Sequence, residues 1–109
     1  MSVENLKVID FASIDRNGNA VLTISDHLQW DNSNEHLLIL QNKINAYLSS
    51  IETGDFYDEY PDAKNRNIII SIVAKFEPND NAKLFLDGAK EILKSAGYEL
   101  RFSILEIDK

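Results

Sequence analysis

The chain has no cysteine. Disulfides, thiolate nucleophiles, zinc fingers and Cys-ligated iron–sulfur clusters are therefore excluded. Bases are scarce: 11 Lys and Arg stand against 18 Asp and Glu, a formal charge of −7. Affinity for nucleic acid comes from clustered Lys and Arg, so this balance argues against a nucleic-acid partner. It argues equally against docking on anionic membrane surfaces. Long apolar runs are missing too. Leu37-Leu38-Ile39-Leu40 and Ile68-Ile69-Ile70 are the longest, far short of the roughly 20 residues that span a bilayer. Met1-Ser2-Val3-Glu4-Asn5 has neither the basic start nor the apolar core of a signal peptide, which points to a cytoplasmic protein. Glycine occurs four times and proline twice, so most of the chain is free to form regular elements. With 109 residues, one domain is expected.

Lys7–Ile14 and Ala20–Asp26 are rich in β-branched residues and flank Asp15-Arg16-Asn17-Gly18-Asn19. Asn-Gly is the strongest short hairpin signal. A two-residue Asn17-Gly18 loop would set Phe11 opposite Ile24, Ser13 opposite Leu22 and Ile9 opposite Asp26, with Ile9, Phe11, Leu22 and Ile24 on one side. A longer loop with a glycine bulge would shift the register by one, and the short loop is preferred. Asn32 with Glu35 forms a capping box. Leu37, Leu40, Ile44, Tyr47, Leu48 and Ile51 then make a helical stripe with Gln41, Lys43, Asn45 and Ser49 on the wet side, and Gly54 ends the helix.

Residues 55–67 show no period and read as a loop. Ile68–Phe76 is a nearly continuous β-branched run, the pattern of a central strand buried on both faces. A helix capped by Asn79 or Asp80 follows, with Ala82, Phe85, Leu86, Ala89, Ile92, Leu93 and Ala96 as its stripe, and Gly97 closes it. Gly88 inside that helix suggests close approach to the sheet. Ile70, Ile72, Leu48 and Phe85 are expected in the core. Tyr98–Ile107 alternates as a last strand until Leu105 breaks the pattern. The order ββαβαβ predicts an α+β fold: a four-stranded mixed sheet with an N-terminal hairpin and two helices packed on one face.

Both histidines, the single Trp and several carboxylates gather in Asp26-His27-Leu28-Gln29-Trp30-Asp31 and Glu35-His36. Asp26, His27, Asp31 and His36 could bind a metal or act as acid and base, but their spacing matches no ligand motif. Capping by Asp31, Asn32 and Glu35, with Leu28 and Trp30 covering the end of the core, explains the same residues and is preferred. Asp15-x-Asn17-x-Asn19 opens like a calcium loop, yet Ala20 stands where that loop continues with Gly. Ser25-Asp26-His27 holds the three triad residue types, but neighbours on a strand point to opposite faces. No glycine-rich phosphate loop or nucleophile elbow exists, and no cofactor is expected.

The second candidate is Glu52-Thr53-Gly54-Asp55-Phe56-Tyr57-Asp58-Glu59-Tyr60-Pro61-Asp62, where five acids and three aromatics stand without a base. Tyr gives large contact area at low entropic cost, and carboxylates beside it suit a basic protein partner. Asp55, Tyr57, Asp58, Glu59 and Tyr60 are its candidate binding residues. The competing reading is a solvated loop with Phe56 and Tyr60 folded onto the core.

The segments Val8-Ile9-Asp10-Phe11, Val21–Asp31 and Lys43–Leu48, above all Thr-Ile-Ser-Asp-His-Leu-Gln-Trp-Asp at 23–31, resemble a small family of uncharacterised bacterial proteins known only as a domain of unknown function. The resemblance spans Asn5 to about Ile104. It implies a bacterial, soluble, single-domain protein and brings no activity or site residues with it. In size and charge alone the chain is similar to small acidic immunity proteins that neutralise a toxin domain. The expectation from sequence is a non-enzymatic, acidic protein-binding module. The alternative is a small metal-dependent or hydrolytic enzyme built on Asp26, His27, Asp31 and His36.

Overall fold

The computed structural model describes residues 11–28, 30 and 35–104. Four strands, β1 (Phe11–Ile14), β2 (Ala20–Asp26), β3 (Ile68–Ala74) and β4 (Glu99–Ile104), form one sheet in the order β1-β2-β3-β4. The β1–β2 pair is antiparallel and the other two pairs are parallel. The helices are α1 (Glu35–Thr53), α2 (Asp55–Glu59) and α3 (Asp80–Ser95), with a 3-10 turn at Pro61–Ala63. The two crossovers step in the same direction across the sheet. Right-handed connections then put both long helices on one face, and α1 and α3 do border a common groove. The expected α+β architecture is the observed one. The segment read as a 13-residue loop instead contains α2 and the 3-10 turn. Five- and three-residue helices are too short to display a period.

The hairpin departs from the expected register. Phe11 pairs with Thr23 rather than Ile24, Ala12 with Leu22, Ser13 with Val21 and Ile14 with Ala20. Leu22 and Ile24 thus share their face with Ala12 and Ile14; the Ile9 pairing lies outside the described residues. The cause is Asp15. Its carboxylate accepts the backbone N–H groups of Asn17 (2.9 Å) and Asn19 (2.8 Å) and the Asn19 side-chain amide (3.1 Å). The Gly18 amide donates to the Asp15 carbonyl at 3.1 Å and the Asp15 amide to the Asn19 carbonyl at 2.9 Å. This is a type I turn closed by a glycine bulge, in which only Gly18 (φ 84°) takes a positive φ; a type I′ turn would need Asn17 there too. The Asn19 amide, foremost among these donors, holds the Asp15 carboxyl below the usual carboxylate range.

Arg66 braces the turn by donating to the Gly18 carbonyl at 3.0 Å and, through Nε, to the Asp62 carbonyl at 2.6 Å. A Cβ on Gly18 would lie 3.2 Å from Arg66 Nη1. Gly18→Val is therefore expected to lower stability by about 1–3 kcal/mol through backbone strain. The urea midpoint measures this, and an unchanged midpoint would remove the constraint.

Ala20, Leu22, Ile24, Ile68, Ile70, Ile72, Ala74 and Leu100 form the floor of the core on the helix-covered face. On the opposite face Thr23, Ser71 and Val73 are outside the core, while Ser25, Glu99, Arg101 and Ser103 are exposed or partly so and Arg101 bonds Glu99. β3 is central as expected but is fully covered on one face only, although Ile69 is buried on the other. The Leu105 break lies outside the described residues.

Asn79 caps α3 by accepting the Ala82 amide at 2.9 Å. The helix ends with the Tyr98 amide bonded to the Leu93 carbonyl and the Gly97 amide to that of Lys94, a left-handed Gly97 (φ 92°) closing the motif. Its buried stripe is Ala82, Leu86 and Leu93. Phe85 and Ala89 are half-buried, whereas Ile92 and Ala96, expected inside, are exposed. Gly88 faces outward, and a Cβ added there would meet no atom within 4 Å, so it does not bring the helix closer to the sheet. On α1 the buried line is His36, Leu40, Lys43, Ile44, Tyr47 and Ile51, and Leu37 and Leu48 are only half-buried. Lys43, expected on the wet side, is completely buried.

Candidate functional site

β2 delivers Asp26 to the end of the sheet, and α1 delivers His36 from its first turn. His36 Nε2 lies 2.6 and 2.8 Å from the two Asp26 oxygens. An ionised carboxylate only accepts, so the ring nitrogen donates. Asp26 is 2% and His36 5% exposed. Asp26 Oδ1 also accepts the Leu28 amide at 3.2 Å. Trp30 stacks on the His36 ring at 3.6 Å between centroids, tilted by 16°, and its indole N–H donates to the Phe76 carbonyl at 3.3 Å. Leu28 and Trp30 pack against the core, as their place at its end implied.

Farther along the same helix line, Lys43 Nζ sits 5.2 Å from the centre of the Tyr47 ring, within reach of a cation–π interaction. The Tyr47 hydroxyl donates to the Thr23 carbonyl at 3.0 Å.

Of the four residues considered for a metal or acid–base site, the structure brings together Asp26 and His36. His27 is exposed, and Asp31 lies outside the described residues, as does the Asn32 cap. Among the described residues no group of three or more His, Asp or Glu is placed to hold a metal ion. The pair, with Trp30 stacked on the imidazole, makes a buried polar contact that joins β2 to α1.

The acidic aromatic segment is arranged differently. Gly54 (φ 91°) turns the chain out of α1, and α2 begins at once. Phe56 is buried and anchors α2 against the core cluster. Asp55, Asp58 and Glu59 are exposed, and Tyr57 and Tyr60 are half-buried beside them. Tyr57 and Tyr60 lean on Phe56 at centroid distances of 5.2 and 5.3 Å. Phe56 thus packs inward, and the two tyrosines keep one edge wet.

Next to Glu59 and Asp62 lies a notch of about 210 Å³ whose floor includes Ile14, Phe56 and Ala63. Burial pushes the Tyr98 hydroxyl upward in pKa, and neighbouring Glu52 and Tyr57 push it the same way.

No helix among the described residues is long and apolar enough to cross a membrane. Compared with known proteins, residues 1–106 match the model of a family of unknown function. No curated protein and no solved structure matches the chain.

Proposed function

The chain belongs to the DUF6572 family, and from that premise we propose that it is a non-enzymatic, acidic protein-binding module whose partner presents a basic surface. The observation that carries this reading is α2. A single buried anchor, Phe56, holds a short helix whose outer side offers Asp55, Asp58 and Glu59 alongside the half-exposed rings of Tyr57 and Tyr60. Half-buried tyrosines are already fixed in place, so docking on them costs little further side-chain entropy. The notch beside Glu59 and Asp62 has an apolar floor and acidic rim, which suits the long stem and charged tip of Lys or Arg. A bacterial, cytoplasmic, immunity-like or regulatory role is consistent with the charge of −7. The enzymatic alternative would rest on Asp26 and His36, and their burial beneath Trp30 supports a structural use of that pair instead.

The attraction of such a surface is long-range and screened over about 8 Å at physiological salt. Association with a partner recovered by affinity capture is expected to slow as salt rises. Asp58→Lys with Glu59→Lys is expected to slow it by roughly tenfold more at low salt, since rim charges act mainly on the on-rate. Both side chains are exposed, so the thermal midpoint should hardly move. Unchanged association rates in the charge-reversed protein would remove α2 as the contact.

A further inference from the structure

Asn17 is followed by Gly18, whereas each of the other asparagines precedes a residue that carries a side chain. The difference is chemical. A backbone amide nitrogen can attack the side-chain carbonyl carbon of the asparagine before it, and glycine, without a Cβ, leaves that approach open. Asn17 is exposed at the tip of the β1–β2 turn. The Gly18 nitrogen is thus a nucleophile, and the Asn17 side-chain amide is an electrophile that water reaches.

The turn decides whether the two meet. In a type I turn the residue in the place of Asn17 has ψ of about 0°, which swings the following nitrogen away from its own Cβ. Two hydrogen bonds hold it there. The Gly18 amide donates to the Asp15 carbonyl at 3.1 Å, and the Asn17 amide donates to the Asp15 carboxylate at 2.9 Å. Arg66 secures the far side of the same glycine by donating to its carbonyl at 3.0 Å. Attack requires rotation about the Asn17 Cα–C bond, and that rotation breaks the Gly18 bond. The turn is therefore a closed gate over a reactive pair, and local opening releases it.

We propose that Asn17–Gly18 is a covalent modification site, a deamidation site gated by Asp15 whose co-reactant is water. In the open turn the Gly18 nitrogen bonds to Asn17 Cγ. The side-chain nitrogen leaves as ammonia, taking up the proton that the Gly18 amide gives up, and a cyclic imide remains. Water then cleaves one of the two imide bonds to the Gly18 nitrogen. Cleavage at Cγ leaves aspartate; cleavage at the main-chain carbonyl leaves isoaspartate, with the chain running through the former side chain. Either product places a new carboxylate near that of Asp15, and like charges oppose the closed turn. Isoaspartate also adds a methylene to the main chain between the amides of residues 17 and 19, the two donors that the Asp15 carboxylate spans. The change is one-way, and it loosens the turn that sets the β1–β2 register. The inference is independent of partner binding at α2.

The test incubates the full chain in mildly alkaline buffer, folded and in urea. Proteolysis and mass spectrometry follow the peptide that contains residue 17, with isoaspartate separated from aspartate by elution. In urea Asn17 should convert ahead of every other asparagine and give both products. In the folded protein the rate should fall by about tenfold or more, since only the open fraction reacts. Asp15→Ala should raise the folded rate several-fold. Asp15→Asn, which keeps an acceptor for the amides of residues 17 and 19, should stay close to the parent. If Asp15→Ala does not fold, Arg66→Ala, at an exposed residue, takes its place. The proposal is overturned if Asn17 reacts no faster than the other asparagines in urea, or if folding leaves its rate unchanged. It is overturned as well if the folded Asp15→Ala protein, or Arg66→Ala in its stead, reacts no faster than the parent.

Discussion

Asp26→Ala is expected to destabilise the protein by about 3–5 kcal/mol, a large part of the roughly 5–15 kcal/mol typical of a domain. Asp26 and His36 are almost wholly buried and meet through two short contacts. Truncating the carboxylate leaves His36 Nε2 facing a cavity in place of its acceptor, and it also strips the Leu28 amide of its acceptor. The loss is therefore not the strength of one bond but the desolvation of what remains. Asp26→Leu combined with His36→Phe should be far milder than the two single changes added together. Phe preserves the stack on Trp30, and the Leu28 amide loses the carboxylate acceptor. A double-mutant cycle followed by urea unfolding should return a coupling of about 1–3 kcal/mol. Additive single changes would mean that the two groups do not support each other.

The same variants separate structure from function. If the pair only ties β2 to α1, the double variant folds and keeps its partner binding on α2. A folded double variant that lost all activity in the cell while α2 remained intact would reopen the enzymatic reading.

Strand and helix positions are legible in the sequence because long elements repeat their pattern many times. β2 begins and ends where its β-branched run does, and α3 starts at the Asn79 cap and stops at Gly97. Short-range chemistry is harder to read. Asn17-Gly18 signals a tight turn, but the deciding group is the carboxylate two residues earlier, whose hydrogen bonds select the wider loop and move the register by one. Lys43 escapes the pattern for a related reason. A lysine is placed outside by default, yet His36, Leu40, Lys43 and Tyr47 fall on one buried line of the helix, where Lys43 Nζ lies over the Tyr47 ring.

The Asp26–His36 contact has a signal in the two residues' shared segment, but their spacing belongs to no motif. Only the return of the chain from strand to helix brings them together. The exposure of Ile92 cannot be read from periodicity at all, because a helix stripe wide enough for a core and a groove looks the same in one dimension.

Ile72→Ala should lower stability by about 2–5 kcal/mol, the range for cutting a large aliphatic side chain from a packed core. Ile72 has no exposed surface. It pairs with Ile24 on one side and Phe102 on the other, at the middle of the central strand. The residue therefore has packed neighbours along the sheet on both sides and the helices above, and backbone pairing on both edges prevents the strand from collapsing into the void. Little relaxation means that most of the cavity persists, which moves the expected cost toward the upper part of the range. Val73 offers the control: it points to the open face and is only half-buried, so Val73→Ala should cost clearly less. Equal losses at 72 and 73, read from urea midpoints with unchanged slopes, would mean that the two faces of β3 are covered alike. Something beyond the described residues would then have to close the second face of the sheet.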